Sequence, residues 1–131
     1  MNWELYHQAL LALLIWREAR GEGRDGMRAV AHVVRNRVQA IHLPDSWDDI
    51  MAAPWQFSSL TARGDSQLIV WPKAPDAAFD EAMQIASLVY TGDDYDLTQG
   101  STHYFNPEVV LPSWAAKLKF VVRIGHHDFY E

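Results

Sequence analysis

The 131-residue chain contains no cysteine, and this absence excludes disulfide bonds, thiolate metal sites and cysteine nucleophiles together. Basic residues are also few, because 11 Lys and Arg stand against 17 Asp and Glu, giving a formal net charge of -6. Binding to nucleic acid depends on clustered Lys and Arg that neutralise phosphates. We therefore expect no nucleic-acid partner.

Long hydrophobic runs are missing as well. The apolar run from Ala9 to Trp16 is far shorter than the roughly 20 apolar residues that span a bilayer. It follows Glu4 instead of a basic region, and no small-residue cleavage site comes after it, so a signal peptide is disfavoured. We interpret the run as a buried helix and expect neither a signal peptide nor a stable membrane association.

Three longer helices are predicted from the spacing of apolar residues. The first covers Trp3 to Ala19 and should stop near Gly21, where glycine permits a left-handed cap. Asp25 is the predicted cap of the second, and the third covers Asp76 to Tyr90 with Gly92 as its stop. The predicted inward faces are Tyr6, Leu10, Leu13, Leu14 and Arg17 in the first helix, Met27, Val30, Ala31, Val34 and Val38 in the second, and Phe79, Met83, Ala86 and Tyr90 in the third.

Two later segments have β-propensity, Thr102 to Phe105 and Phe120 to Ile124, and a short helix that Ser113 could cap lies between them. The length suits one domain over residues 1–131. The predicted fold class is therefore α+β, mainly α, with a small β-sheet or hairpin. Asn36 and Arg37 in the second helix are expected to tie helices together.

Two glutamates at the end of the first helix are the candidates for acid chemistry. Glu18 and Glu22 stand four residues apart, so they project from the same side if the helix persists. The negative end of the helix dipole and burial beside Trp16 or Trp55 would both raise a glutamate pKa, as a general acid requires. From spacing alone, a surface ion pair with Arg17 or Arg20 is the more common explanation.

A resemblance changes that balance. The opening stretch Glu18-Ala-Arg-Gly-Glu22, with Gly26, Ala29-Val30-Ala31 and Val34-Arg35-Asn36-Arg37-Val38 after it, resembles the first motif of the SleB-type cell wall hydrolase family. That family includes spore cortex-lytic enzymes and some phage endolysins. Shorter segments agree in the same order: Gln56-Phe57-Ser58, Thr102-His103-Tyr104-Phe105-Asn106-Pro107 and the closing Ile124-Gly125-His126.

The resemblance implies a lysozyme-like fold and cleavage of the bond between N-acetylmuramic acid and N-acetylglucosamine in peptidoglycan, with Glu18 as general acid. A hydrolase acting on this bond normally uses two carboxylates, for which Glu22 or Asp25 is the nearest candidate. If the 6-hydroxyl of the sugar itself attacks, one acid/base is enough, and Glu22 has a structural or orienting role. The resemblance favours this second route, lytic transglycosylation.

Aromatic and amide side chains are the candidates for binding the glycan, because sugar C–H faces pack on aromatic rings. Trp55, Phe57, Tyr104 and Trp71 are the aromatic candidates, and core packing is the alternative for each. The polar candidates for N-acetyl and hydroxyl groups are Gln56, Ser58, His103 and Asn106. For Asn106, which precedes Pro107, ordinary turn chemistry is a strong alternative.

Histidines raise the possibility of a metal site at His103, His126 and His127. Adjacent side chains on a strand point to opposite faces, so His126 and His127 are poorly placed to bind one ion, and no paired-histidine helical motif occurs. We therefore expect no metal and no cofactor. A zinc amidase is disfavoured.

A non-catalytic module that binds the cell wall is the rival from another functional class, and the full Glu18 motif argues against it. Without an export signal, the chain is predicted to be a phage endolysin made in the host cytoplasm. It would then act in the periplasm or cell wall after release by a holin.

Overall fold

Five α-helices and three β-strands lie within residues 2–41, 47–53 and 57–131, the part of the chain that this computed structural model describes. The helices are α1 (Trp3–Ala19), α2 (Gly23–Ile41), α3 (Trp47–Met51), α4 (Ser58–Thr61) and α5 (Ala77–Thr91). The strands are β1 (His103–Phe105), β2 (Phe120–Ile124) and β3 (His127–Tyr130). The predicted class, mainly helical with a small sheet, is confirmed.

Helix α1 begins where the Asn2 side chain accepts a hydrogen bond from the backbone N–H of Leu5, at 3.1 Å. It ends at Ala19 as predicted, and a short 3₁₀ turn, Arg20–Glu22, follows. The predicted left-handed glycine at Gly21 is wrong, because the positive φ of +76° belongs to Gly23. The chain therefore reverses after Glu22, and α2 begins at once.

The second half of α1 is buried on every side, because α2 and α5 both pack against it. All residues from Leu11 to Arg17 are buried, which confirms the interpretation of the apolar run as a buried helix except at its start, where Ala9 is exposed and Leu10 half-buried. The prediction of a single inward face is therefore wrong for this half of α1. Tyr6, which the spacing assigns to that face, is 42% exposed.

Helix α2 is buried on two faces and so joins the two parts of the core. Its predicted stripe from Met27 to Val38 packs in the main core with α1 and α5. On another face, Ala29 and Val33 pack against Phe129 of β3 in a smaller core beneath the sheet. Asp25 does not cap this helix, since α2 already begins at Gly23, and its carboxylate is paired with Arg28 at 2.9 Å.

Helix α5 has the predicted ends. The Asp76 side chain accepts from the N–H of Phe79 at 2.9 Å, and Gly92 ends the helix with a φ of +84°. Its inward face is rotated from the predicted one, because Ala82, Ile85, Ala86 and Val89 are the buried residues. The larger Phe79, Met83 and Tyr90 pack at the edge of the core instead.

The sheet has three antiparallel strands in the order β1-β3-β2, so the last strand of the chain is central. The sequence predicted β1 and β2 but not β3. Tyr104 pairs with Phe129 across β1 and β3, and their rings stack with centroids 5.6 Å apart. Since Phe129 is anchored on α2, this pairing fixes Tyr104 relative to the helices. The short helical turn Ser113–Ala116 begins after Pro112, so Ser113 lies inside it and is not its cap.

Carboxylates in the loop between α5 and β1 attach that loop to α2. The Asp94 side chain accepts from His32 Nε2 at 2.7 Å and from Arg28 Nε at 3.1 Å. Asn36 Nδ2 donates to Asp96 at 2.8 Å. Asn36 was expected to tie helices together, but it connects α2 to this loop, and Arg37 Nε donates to the carbonyl of Thr102 at the end of the same loop. The attachment places β1 beside α2.

Replacement of Asp96 by Ala is expected to lower the free energy of unfolding by about 2–4 kcal/mol, because several donors would lose a partly buried acceptor. Its two oxygens accept from Asn36, from the N–H and hydroxyl of Thr98 and from the N–H of Gly100. Chemical denaturation measures the change. Asp93→Ala, at an exposed position in the same loop, is the control and should cost less than about 0.5 kcal/mol. Equal losses would contradict this role of Asp96.

Candidate active site

Glu18 lies in the last turn of α1 and contacts Tyr104, which lines a groove beside the sheet. Its neighbours Arg17 and Ala19 are buried, and the Glu18 side chain itself is partly buried. The hydroxyl of Tyr104, on β1, donates a hydrogen bond to Glu18 Oε1 at 3.2 Å. The end of α1 and strand β1 therefore hold the Glu18 carboxyl between them. This arrangement differs from the surface ion pair that spacing alone favours.

The pKa of Glu18 is raised above its ordinary value, mainly because burial disfavours the charged carboxylate. The hydrogen bond from Tyr104 lowers the pKa, the negative charge of Asp65 raises it, and the nearby Ser59 hydroxyl lowers it. Burial prevails, in the direction that the sequence predicted. A carboxyl group with a raised pKa keeps its proton to higher pH and can act as a general acid.

A groove of about 660 Å³ begins at Tyr104 and brings three of the predicted site residues together, Ser58, His103 and Tyr104. The His103 ring lies 4.9 Å from the ring of Trp114 between centroids. The other described residues that line the groove are Arg37, Phe105, Val110, Pro112 and Trp114. Its wall thus combines aromatic faces with hydroxyl, imidazole and guanidinium groups, a lining suited to a sugar chain.

Arg37 and Trp114 are groove residues that sequence reasoning missed. Arg37 Nε donates to the carbonyl of Thr102 at 2.6 Å, and its guanidinium lies 4.9 Å from the centre of the Phe57 ring. Burial lowers the Arg37 pKa. Its place in the first motif was a signal, but a helical position 15 residues after Glu22 and 18 before Trp55 gives no indication of a groove.

Glu22 contacts the turn between β2 and β3. Its carboxylate accepts from the backbone N–H of His126 at 3.3 Å and lies 3.1 Å from His126 Nδ1. Burial would raise the pKa of Glu22, but the hydrogen bonds from His126 and the electrostatic interaction with the two imidazoles lower it below the ordinary value. Glu22 therefore attaches the turn between β2 and β3 to the end of α1.

The remaining predicted binding residues are placed as follows. Trp55 and Gln56 lie outside the described residues. Asn106 Oδ1 accepts from the N–H of Glu108 at 2.9 Å, which is turn chemistry. Phe57 is fully buried in the core, and Trp71 covers Arg17 at 4.6 Å beside a separate apolar hollow.

Two further features concern metals and membranes. His126 binds Glu22, and the His127 ring meets Tyr104 edge-on at 5.2 Å. Among the described residues, no group of three or more His, Asp and Glu side chains is arranged to hold a metal ion. No helix within the described ranges has the length and apolar character needed to cross a membrane.

Comparison with protein families gives a match to the family model for cell wall hydrolases over residues 21–130. The chain belongs to the cell wall hydrolase family. The resemblance that the first motif indicated is thereby confirmed. The family match begins just after Glu18 and includes the groove residues of β1.

Two curated relatives of this cell wall hydrolase are spore cortex-lytic enzymes. The one from Halalkalibacterium halodurans is 33% identical over 120 residues, which make up 92% of this chain and 33% of the relative. The one from Bacillus subtilis is 31% identical over 124 residues, 93% of this chain and 36% of the relative. The chain thus spans about a third of the length of these relatives.

Solved structures with the same fold are catalytic domains of SleB proteins. The germination-specific lytic transglycosylase SleB from Bacillus anthracis matches with a TM-score of 0.75 and 26% identity, covering 95% of this chain and 93% of that domain. The catalytic domain of Bacillus cereus SleB matches with the same TM-score and identity, covering 95% and 89%. The cell wall hydrolase described here therefore has the fold of a whole catalytic domain.

Replacement of Gly125 by Ala is expected to lower the free energy of unfolding by about 2–3 kcal/mol, because it combines backbone strain with displacement of the Glu22 carboxylate from His126. Gly125 has a φ of +61°, and a Cβ there would lie 2.5 Å from Glu22 Oε2. Gly64→Ala is the matched control, since Gly64 has a φ of +96° and no neighbour within 4 Å of an added Cβ. Thermal unfolding compares the two; an equal loss would show that the Glu22 contact is unimportant.

Proposed function

We propose that this chain cleaves the glycan strands of peptidoglycan at the bond between N-acetylmuramic acid and N-acetylglucosamine, with Glu18 as the acid/base. The observation that carries the proposal is the Glu18 carboxyl, whose pKa is raised and which Tyr104 holds beside the groove. Membership in the cell wall hydrolase family and the likeness to SleB catalytic domains support it.

The reaction that fits this arrangement best needs one carboxyl group. Protonated Glu18 gives its proton to the glycosidic oxygen as the bond from that oxygen to the muramic acid C1 breaks. The 6-hydroxyl oxygen of the same muramic acid then bonds to C1 and its proton passes to the Glu18 carboxylate. The products are a 1,6-anhydro end and a free N-acetylglucosamine hydroxyl, and Glu18 is protonated again.

A hydrolytic muramidase is the alternative, and it would need a second carboxylate about 5–9.5 Å from the first. The two candidates from the sequence are engaged elsewhere, Glu22 with His126 and Asp25 with Arg28. This favours lytic transglycosylation, with Glu22 as a structural residue that holds the sheet to α1.

The glycan strand is proposed to lie along the aromatic side of the groove. His103 and Trp114 present neighbouring ring faces and edges there, and the backbone of β1 continues the wall. Arg37 supplies a positive charge next to them, which suits the lactyl or peptide carboxylates of muramic acid. The predictions that the chain is a phage endolysin and that a holin releases it stay predictions.

Substitution Glu18→Gln should lower the rate of glycan cleavage by about 10²–10⁴-fold, the usual contribution of a general acid. Purified peptidoglycan is digested, and mass spectrometry counts the muropeptides with 1,6-anhydro ends. Glu4→Gln, at an exposed position on the same helix, is the control and should retain wild-type activity. Equal activity of Glu18→Gln and wild type would remove Glu18 from the mechanism, and reducing muramic acid ends would indicate a muramidase.

The pH profile of cleavage provides a second prediction. Because Glu18 must be protonated to act, activity should fall as the pH rises through its raised pKa. The hydrogen bond from Tyr104 lowers that pKa, so Tyr104→Phe should move the alkaline limb to higher pH, while the maximal rate falls. Initial rates measured from about pH 4 to pH 9, the range over which such carboxyls titrate, locate the alkaline limb. A shift of this limb to lower pH in Tyr104→Phe would contradict the assignment.

A further inference from the structure

Ser58 and Asp65 form a hydrogen-bonded pair at the rim of the groove. The Ser58 hydroxyl donates to Asp65 Oδ2 at 2.6 Å, a short distance even for an O–H donor and a carboxylate. Ser58 is the first residue of α4 and lines the groove, whereas Asp65 lies outside the lining. The pair therefore connects a groove residue to a carboxylate behind it.

The direction of this hydrogen bond determines what Ser58 can offer to a ligand. A serine hydroxyl has one hydrogen and two lone pairs. Since Asp65 takes the hydrogen, the Ser58 oxygen has only lone pairs left for the groove. It can accept from a sugar but not donate to it.

The Asp65 carboxylate is itself fixed in orientation. Its second oxygen, Oδ1, accepts from the backbone N–H of Gln67 at 2.8 Å, where Asp65 caps the 3₁₀ turn Ser66–Ile69. Both oxygens thus have a partner, which leaves this carboxylate poorly suited to activate a water molecule. It is well suited to hold one hydroxyl.

We propose that Asp65 is a positioning residue of the active site, which holds the Ser58 hydroxyl as a hydrogen-bond acceptor for an acetamido N–H or ring hydroxyl of the glycan. This inference rests on the proposed function, because it supplies the substrate class. It assigns a role to Asp65, which no sequence motif indicated and which lies seven residues beyond the Gln56-Phe57-Ser58 segment.

The charge of Asp65 acts on the catalytic acid as well. It raises the pKa of Glu18, in the same direction as burial. The other described groups that act on this carboxyl are the hydroxyls of Tyr104, from β1, and Ser59, from α4, and both lower its pKa. Removing the Asp65 charge should therefore move the alkaline limb of activity to lower pH, opposite to the effect expected of Tyr104→Phe.

The test compares Ser58→Ala, Asp65→Asn and the double variant on soluble, uncrosslinked glycan strands, at a pH on the acid side of the limb. Each single change should lower kcat/KM by about tenfold, as expected for one lost substrate hydrogen bond. The double variant should be within about twofold of Ser58→Ala, because both changes remove the same interaction. Multiplied losses in the double variant, or a wild-type rate for Asp65→Asn, would overturn the proposal.

The pH profile separates a positioning role from a merely structural one. Asp65→Asn should move the alkaline limb to lower pH, while Ser58→Ala leaves it in place. Asparagine can still cap the 3₁₀ turn, so the fold should be retained, and thermal unfolding checks this. Asp76→Asn is the matched control, since Asp76 also caps a helix, and it should leave the limb unchanged. An unmoved limb in Asp65→Asn would contradict the inference.

The same measurements distinguish this inference from the proposed function. If wild type cleaves the strands and Glu18→Gln does not, the proposed function stands, and an unaffected Asp65→Asn defeats the role of Asp65 alone. If wild type releases no muropeptides, the proposed function itself is wrong, whatever the role of Asp65.

Discussion

The hydrogen bond from Tyr104 to Glu18 crosses the boundary between the helices and the sheet, so the candidate site exists only while that boundary is held. Several attachments among the described residues hold it. Phe129 packs on α2 beneath the sheet, Asp94 and Asp96 fasten the loop before β1 to the same helix, and Glu22 binds the turn between β2 and β3. Each lies outside the groove, yet each fixes the distance between the acid and its donor.

Competing electrostatic effects determine the state of the Glu18 carboxyl. Burial and the charge of Asp65 favour the protonated form, and the Tyr104 hydroxyl favours the ionised one. Tyr104 is itself deeply placed, and burial together with the charge of Glu18 raises its pKa, so it remains a donor at neutral pH. An acid whose pKa is raised, but which keeps a donor for its ionised form, can both release and recover a proton within one reaction cycle.

Local signals in the sequence were sufficient for the presence of α1, α2 and α5 and for the caps of α5 at Asp76 and Gly92, but they misplaced the caps between α1 and α2. They were insufficient for β3, because His127–Tyr130 is stabilised as a strand by long-range pairing on both sides. The inward face of α5 was also misassigned, since large side chains cluster at the core edge while Ala82 and Ala86 allow close helix contact.

For the site, the motif indicated Glu18 and Tyr104 separately, but only the fold brings together residues 86 positions apart. The contact of Glu22 with His126 and that of Ser58 with Asp65 depend equally on tertiary structure. No spacing rule links such residues, because loops of different length separate them. The sequence predicted which side chains carry the chemistry of the site, but it did not predict which residues contact them.

The role of Glu18 as a general acid depends most directly on the protonation of its carboxyl group in the folded protein. NMR titration of the side-chain carboxyl carbons, with Glu18→Gln to assign the resonance, measures its pKa without any substrate. This role predicts a titration midpoint for Glu18 clearly above the ordinary glutamate value of 4.5, and we expect Glu22 to titrate below that value. A Glu18 midpoint at or below the ordinary value would contradict it.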